Sequence, residues 1–181
     1  QALVPALVDE DGKTSPIFES PLGIFCDPAD RAMLEAEYKI DSRFVPSVRS
    51  RWVQKRLTKY GGDFTKFNVV KLYPSIVEQI GIAETAPADE NTQDVSTLVG
   101  KTDIRVLDEL AQSDPDSYVY SGALCTSAQG MLDFVEMFKA QIKMLHPLIT
   151  ATQEHRFEPS ERIGALPYNG FIVAHSNESE W

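Results

Sequence analysis

Three short runs of hydrophobic residues along the chain predict buried strands. They cover residues 3–8, 131–135 and 171–174, and a shorter β-type run covers residues 67–72. Continuous hydrophobic runs of this length are typical of strands that are covered on both faces, as in parallel sheets.

Segments with helical spacing separate these runs. Asp27 before Pro28 marks the start of one helix, residues 46–60 form a second, Pro74 opens a third, and residues 138–151 form a long amphipathic helix. The residues expected to face inward are Ile76, Val77, Ile80 and Ile82 in the third helix and Ile142, Leu145, Leu148 and Ile149 in the last. A short acidic helix at residues 103–112 and a hairpin at residues 154–170 complete the pattern. Strands separated by helices indicate an α/β fold with a mainly parallel sheet.

The composition fits one globular domain and argues against two classes of partner. The 181 residues are 43% hydrophobic and 24% charged, and no uncharged apolar run reaches the roughly 18 residues that a membrane span requires. The net charge of −10 repels nucleic acid and anionic membranes. The chain starts on an apolar run without an initiator methionine and stops at Trp181 soon after another, so we expect a fragment of a longer protein.

The charges are unevenly distributed along the chain. Residues 41–75 hold eight basic residues against two acidic ones, and residues 76–120 hold ten acidic residues against two basic ones. The favoured interpretation is a pair of solvated faces, or two faces that pair with each other. The alternative is a basic surface for phosphate, nucleic acid or a neighbouring subunit.

The cysteines and histidines carry no recognisable metal or disulfide motif. Cys26 and Cys125 form no CxxC, and the three histidines show no HExxH spacing. Reduced thiols and a cytoplasmic location are therefore the default expectation.

Polar residues follow the ends of two predicted strands. Asp133 and Glu136 lie at the end of one, and Ser176, Asn177 and Glu178 follow the other. Ligands of open α/β sheets bind at the carboxyl ends of strands. There a glutamate can orient or deprotonate a water molecule, and an asparagine can hydrogen-bond that water or a γ-phosphate oxygen. On this pattern alone, strand-end residues that merely cap helices remain the favoured alternative.

Longer stretches of the sequence resemble known ATPases. The segment GALCTSAQGMLDFVEMF resembles the approach to the Walker B strand of AAA+ ATPases in the MCM and NtrC-type branches. This resemblance implies that Glu136 is the Walker B glutamate, that Asn177 is the sensor 1 asparagine, and that residues 155–169 form the pre-sensor hairpin.

A second resemblance covers nearly the whole chain. The stretches GGDFTKFNVVKLYPSI, DPDSYVYSGALC and NGFIVAHSNESEW are similar to the AAA domain of bacterial PrkA-type serine protein kinases. It implies an α/β, P-loop-type AAA+ core that runs from its second strand, at residues 3–8, to its sensor 1 strand, with a large helical insertion at about residues 20–120. It further implies a cytoplasmic, ATP- and Mg²⁺-dependent protein with a kinase-like C-terminal region, a protein substrate and a homo-oligomer formed through AAA faces.

The sequence departs from the family pattern at the nucleotide site. Val135 stands where the Walker B aspartate is usual, so Asp133, on the same strand face, is the candidate magnesium ligand. No GxxxxGK[ST] motif is present, and Lys13 in DGKTS imitates only its last letters. The arginine finger and lid helices are expected beyond Trp181.

The resulting interpretation is an ATP-binding and ATP-hydrolysing AAA portion of a PrkA-like serine protein kinase that is inactive by itself. One alternative is the AAA module of an ATP-dependent protease, since the fold leaves the attached activity open. The other is a non-catalytic interaction domain with a degenerate nucleotide site.

Overall fold

The computed structural model describes residues 3–87, 93–106, 110–159 and 163–177 of the chain. Its strands are β1 (Val4–Val8), β2 (Asn68–Leu72), β3 (Ile82–Thr85), β4 (Lys101–Thr102), β5 (Tyr118–Val119), β6 (Met131–Val135), β7 (Arg156–Phe157), β8 (Leu166–Pro167) and β9 (Phe171–His175). Its α-helices are α1 (Pro28–Tyr38), α2 (Arg51–Lys59), α3 (Ser96–Val99), α4 (Ala123–Thr126) and α5 (Ile142–Glu154).

The central sheet is parallel and has the order β3-β6-β9. Strand β6 pairs with β3 on one side, where Asp133 is opposite Glu84, and with β9 on the other, where Val135 is opposite His175. Leu132 and Phe134 point to one face and are fully buried against α5 and the neighbouring loops. The predicted α/β fold with a parallel sheet is therefore confirmed, as are the strands at residues 131–135 and 171–174. The expected burial of residues 171–174 is wrong, because β9 lies at the edge of the sheet and is largely exposed.

Two expectations about this sheet are wrong. Residues 3–8 form β1, which pairs antiparallel with β2 and lies outside the parallel sheet. The place beside β6 belongs to β3, in a segment where we expected a helix beginning at Pro74. That segment instead turns back at a bridge between Ser75 and Ile80, and Gly81 has a positive φ of 67°, which a helix does not allow.

Strands β1 and β2 and helices α1 and α2 form a second unit, spanning residues 4–72, which we call the helical unit. It has its own hydrophobic core, which includes Leu7, Trp52, Val53 and Phe67. The helices predicted at Pro28 and at residues 46–60 are confirmed, although α2 begins only at Arg51. Ser50 caps α2, because its Oγ accepts a hydrogen bond from the backbone N–H of Val53.

Helix α5 is confirmed as a long amphipathic helix, and half of its predicted inward face is correct. Leu148 is buried and Leu145 is partly buried against the core, whereas Ile142 and Ile149 are exposed and Met144 and Ala151 are buried instead. Residues 137–139 form a separate 3₁₀ turn, so α5 begins at Ile142 rather than at residue 138. The predicted hairpin is present as the antiparallel pair β7 and β8, and its turn at residues 160–162 lies outside the described residues. Of the predicted acidic helix, the described part shows a 3₁₀ turn at Ile104–Val106.

The two oppositely charged stretches pair with each other. Lys55 Nζ lies 2.7 Å from Asp114 Oδ1 and 2.8 Å from Asp116 Oδ2, and Arg56 Nη2 lies 3.1 Å from Asp116 Oδ1. Partial burial acts to raise the pKa of Asp116, but hydrogen bonds from Lys55, Arg56 and Lys13 outweigh it and hold the pKa well below its usual value. The favoured interpretation, in which the two faces pair, is thereby confirmed for α2. Within the described residues, no helix is long and apolar enough to cross a membrane.

Candidate functional site

The candidate site lies where β6 and β9 end side by side. Because Val135 is opposite His175 in a parallel pair, the residues that follow both strands emerge at the same edge of the sheet. Glu136 is the first residue after β6, and Asn177 is the second after β9 and is exposed. The structure therefore brings the two sequence-predicted residues to one edge. Glu178, which follows, lies outside the described residues.

Glu136 has an unusual backbone and a cationic neighbour. Its φ of 53° and ψ of 46° place it in the left-handed region, which costs a non-glycine residue about 1–2 kcal/mol. Such conformations cluster at functional sites. Its Oε1 lies 3.0 Å from Lys139 Nζ, at the end of the 3₁₀ turn that Glu136 precedes. The left-handed backbone turns the chain sharply away from the sheet and leaves the carboxylate at the strand edge.

Asp133 occupies the middle of β6, two residues before its end. Its Oδ1 atom is shielded from solvent, accepts no hydrogen bond from any described residue, and lies 3.2 Å from His175 Nε2. Both side chains project from the face of the sheet opposite Leu132 and Phe134, where Phe171 and Val173 are exposed.

This arrangement does not fit a magnesium ion at the strand ends. Mg²⁺ prefers oxygen ligands at 2.0–2.1 Å in octahedral geometry. The ion-pair partner of Asp133 Oδ1 is instead a nitrogen, Nε2 of the His175 imidazole. Val135, at the usual aspartate position, offers no ligand atom. No chemical step is therefore assigned here to Mg²⁺.

Lys13 lies in the helical unit rather than at the candidate site. Its Nζ contacts Asp116 Oδ1 at 3.1 Å, within the charge cluster around α2. Lys13 therefore does not lie at the strand ends of the parallel sheet, in agreement with the incomplete P-loop motif around it.

Sequence reasoning missed two residues of this site, Lys139 and His175. Lys139 is three residues after Glu136, and His175 two residues before Asn177, so both lay within the recognised segments. Their closeness in sequence to Glu136 and Asn177 could have identified them as neighbours of the site. The pairing of His175 with Asp133, however, depends on the strand register, which the sequence does not give.

A parallel sheet with a carboxylate and an amide at adjacent strand ends is the arrangement of a P-loop-type ATPase domain. The model of the PrkA AAA domain family matches residues 3–181, and the chain belongs to this family. It is 56% identical over 180 residues to the serine/threonine kinase YeaG of Escherichia coli K12, covering 99% of this chain and 28% of that protein.

A second relative carries a different name. The chain is 32% identical over 170 residues to the ATP-dependent protease PrkA of Bacillus subtilis, covering 93% of this chain and 26% of that protein. The chain thus spans little more than a quarter of the length of these relatives. Among solved structures, it is similar to NtrX of Brucella abortus in complex with ADP, with 13% identity, a TM-score of 0.37 and coverage of 57% of this chain and 20% of that one.

Proposed function

We propose that the chain is the ATP-binding and ATP-hydrolysing AAA portion of a PrkA-like serine protein kinase. The observation that carries the proposal is the register of β6 against β9, which brings Glu136 and Asn177 to one edge of the parallel sheet. Membership of the PrkA AAA domain family and the kinase name of the 56% identical relative support it. A cytoplasmic location, a protein substrate and a homo-oligomer formed through AAA faces stay predictions of the family resemblance.

In this proposal, Glu136 and Asn177 act on the attacking water in different ways. The Glu136 carboxylate orients the water and accepts its proton, and the Asn177 amide hydrogen-bonds the water or a γ-phosphate oxygen. ATP, when bound, supplies the γ-phosphoryl group that the water attacks. The ion pair with Lys139 holds the Glu136 side chain in one orientation.

The proposed domain is incomplete within residues 1–181. Without a GxxxxGK[ST] motif the chain lacks the backbone cradle that grips phosphates in P-loop ATPases. On its other side β9 has no partner strand among the described residues, so one further strand could pair there. We therefore expect residues 1–181 alone to hydrolyse no ATP.

The test is Glu136→Gln in the full-length protein. Because glutamine keeps the shape but accepts no proton, hydrolysis should slow by about 10²- to 10⁴-fold while nucleotide binding is retained. Glu35→Gln is the matched control, because Glu35 is an exposed glutamate on α1 and far along the chain from the site. Hydrolysis at the normal rate by Glu136→Gln would refute the role of Glu136.

The relative named an ATP-dependent protease supports a second candidate, an AAA module coupled to proteolysis. Measuring casein degradation against phosphate incorporation by the full-length protein separates the two. A third candidate, a non-catalytic interaction domain, is favoured by Val135 at the Walker B aspartate position. Tight nucleotide binding by the intact domain would count against it.

A further inference from the structure

The contact between Asp133 and His175 takes no direct part in the proposed hydrolysis, which uses Glu136 and Asn177. It joins β6, which Glu136 follows, to β9, which Asn177 follows, on the face of the sheet opposite Leu132 and Phe134. Asp133 Oδ1 and His175 Nε2 are 3.2 Å apart. We propose that Asp133 and His175 are a positioning pair that fixes the end of β9 relative to the end of β6, and that Asp133 is not a magnesium ligand. This inference rests on the proposed function, because the strand ends matter only if they carry the reaction.

The location of Asp133 along β6 argues against metal binding at the strand ends. Each residue of a parallel strand advances about 3.3 Å, so Asp133 is about 7 Å behind Val135 along the strand. A magnesium ligand must lie within bonding distance of the ion that contacts the phosphates. Asp133 would have to reach past Val135 to meet one beside Glu136.

The register explains why Asp133 meets His175. Asp133 is directly opposite Val173, and His175 is two residues further along β9, on the same face. The contact therefore runs diagonally across the last two steps of both strands. A diagonal link of this kind resists sliding of one strand along the other, which is the motion that would separate Glu136 from Asn177.

The burial of the contact atom supports a specific pair. The Asp133 side chain is 35% exposed and that of His175 55% exposed, yet Asp133 Oδ1 itself is shielded from water and accepts no hydrogen bond from the described part of the chain. A shielded carboxylate oxygen needs a compensating partner. The contact with the His175 imidazole does not meet hydrogen-bond geometry, so it is an ion-pair contact that the fold places at this oxygen.

The experiment measures ATP hydrolysis by the full-length protein as a function of ATP and Mg²⁺ concentration. The variants are Asp133→Asn, His175→Gln and their double variant. Glu84→Gln is the matched control, because Glu84 is the carboxylate opposite Asp133 on β3, and β6 separates β3 from the strand that carries His175. Since the Asp133 and His175 side chains are partly exposed, neither single change should prevent folding, and Asp133→Glu, which keeps the charge, provides a second test.

A positioning pair predicts a specific set of results. Each single variant should lower kcat by about two- to fivefold, the size expected for a partly exposed pair, with the KM for ATP within about twofold of wild type. The double variant should be no slower than the slower single variant, because the pair is lost once. Asp133→Glu should recover at least half of the wild-type rate. The half-saturating Mg²⁺ concentration, and the Mg²⁺ dependence of ADP binding measured without turnover, should stay unchanged in all variants.

Other results would overturn the inference. A rise of about tenfold or more in half-saturating Mg²⁺ for Asp133→Asn, but not for His175→Gln, would identify Asp133 as a metal ligand. Single effects that multiply in the double variant, or no effect in either single variant, would show that the two residues do not act as a pair. If wild-type protein hydrolysed no ATP, the proposed function would fail, and the positioning role with it, before any variant was compared.

Discussion

Replacing Arg56 with methionine should loosen helix α2 more than any other single loss of charge in the helical unit. Arg56 Nε lies 2.7 Å from Asp9 Oδ2, and the two side chains are only 11% and 3% exposed. The guanidinium also lies 3.9 Å above the ring of Trp52. Methionine keeps the hydrophobic stem but leaves the buried Asp9 carboxylate without its cation.

The contacts that Asp9 and Asp116 keep in Arg56→Met determine the size of the stability loss. Removing one partner of a buried ion pair costs about 3–5 kcal/mol. Asp9 Oδ1 keeps hydrogen bonds from the backbone N–H groups of Asp11 and Lys13, and Asp116 keeps Lys13 and Lys55. We therefore expect the lower end, about 3 kcal/mol, which corresponds to a change of roughly 150-fold in the local opening equilibrium.

Hydrogen–deuterium exchange of the full-length protein measures this opening directly. Protection of the α2 amides should fall by about 100-fold or more in Arg56→Met. Arg105→Met is the matched control, because Arg105 is 83% exposed and loss of its solvent-screened pair with Asp103 should leave the protection of the α2 amides nearly unchanged.

The double variant Asp9→Asn with Arg56→Met should recover part of the loss, because no unpaired charge then stays buried. A loss of protection below about fivefold in Arg56→Met would show that this buried pair contributes no more than an exposed one, and the reasoning would be refuted.

Two further predictions concern buried positions. Burial raises the pKa of Glu19 from its ordinary value of 4.5 to about 7, although hydrogen bonds from Ser50 act to lower it. The folded state then binds a proton that the unfolded state releases, so the contribution of Glu19 to stability is largest below pH 4.5 and falls by about 3 kcal/mol as the pH rises to about 7. Glu19→Gln should flatten this dependence in thermal unfolding, and an unchanged slope would contradict the assignment. A Cβ on Gly130 would lie 1.7 Å from the Gly81 carbonyl oxygen, whereas one on Gly12 meets nothing within 4 Å and is strained only by the positive φ of 81° at that position. Gly130→Ala should therefore lower the unfolding midpoint clearly more than Gly12→Ala, and equal shifts would refute this.

Hydrophobic patterning identified the strands that carry the site but not their neighbour. Strands β6 and β9 are mostly apolar runs, which is the pattern of strands in a parallel sheet, although only β6 has fully buried residues, Leu132 and Phe134. Strand β3 is short, and its first residue, Ile82, falls with the preceding isoleucines at positions 76 and 80 at spacings close to those of a helix face. The positive φ of Gly81, which separates the turn from the strand, has no hydrophobic signature.

The candidate site was predictable to the extent that it depends on strand ends. Glu136 and Asn177 follow apolar runs directly, so their positions could be read without knowing the register. The contact of Asp133 with His175 could not, because a shift of one residue between β6 and β9 would put the two side chains on opposite faces.

The helical unit is anchored at the end of the sheet opposite to the candidate site. Gln129, just before β6, donates hydrogen bonds through Nε2 to the carbonyl oxygens of Pro5 and Phe18. A cavity of about 660 Å³ between the unit and the sheet is lined by Phe44 and by Phe171, the first residue of β9. Five-residue strands place these contacts roughly 16 Å from the strand ends. Loss of the Arg56 pair should therefore open α2 while leaving the ratio of hydrolysis to binding at Glu136 unchanged, whereas a change in that ratio would require the helical unit to act on the site through the sheet.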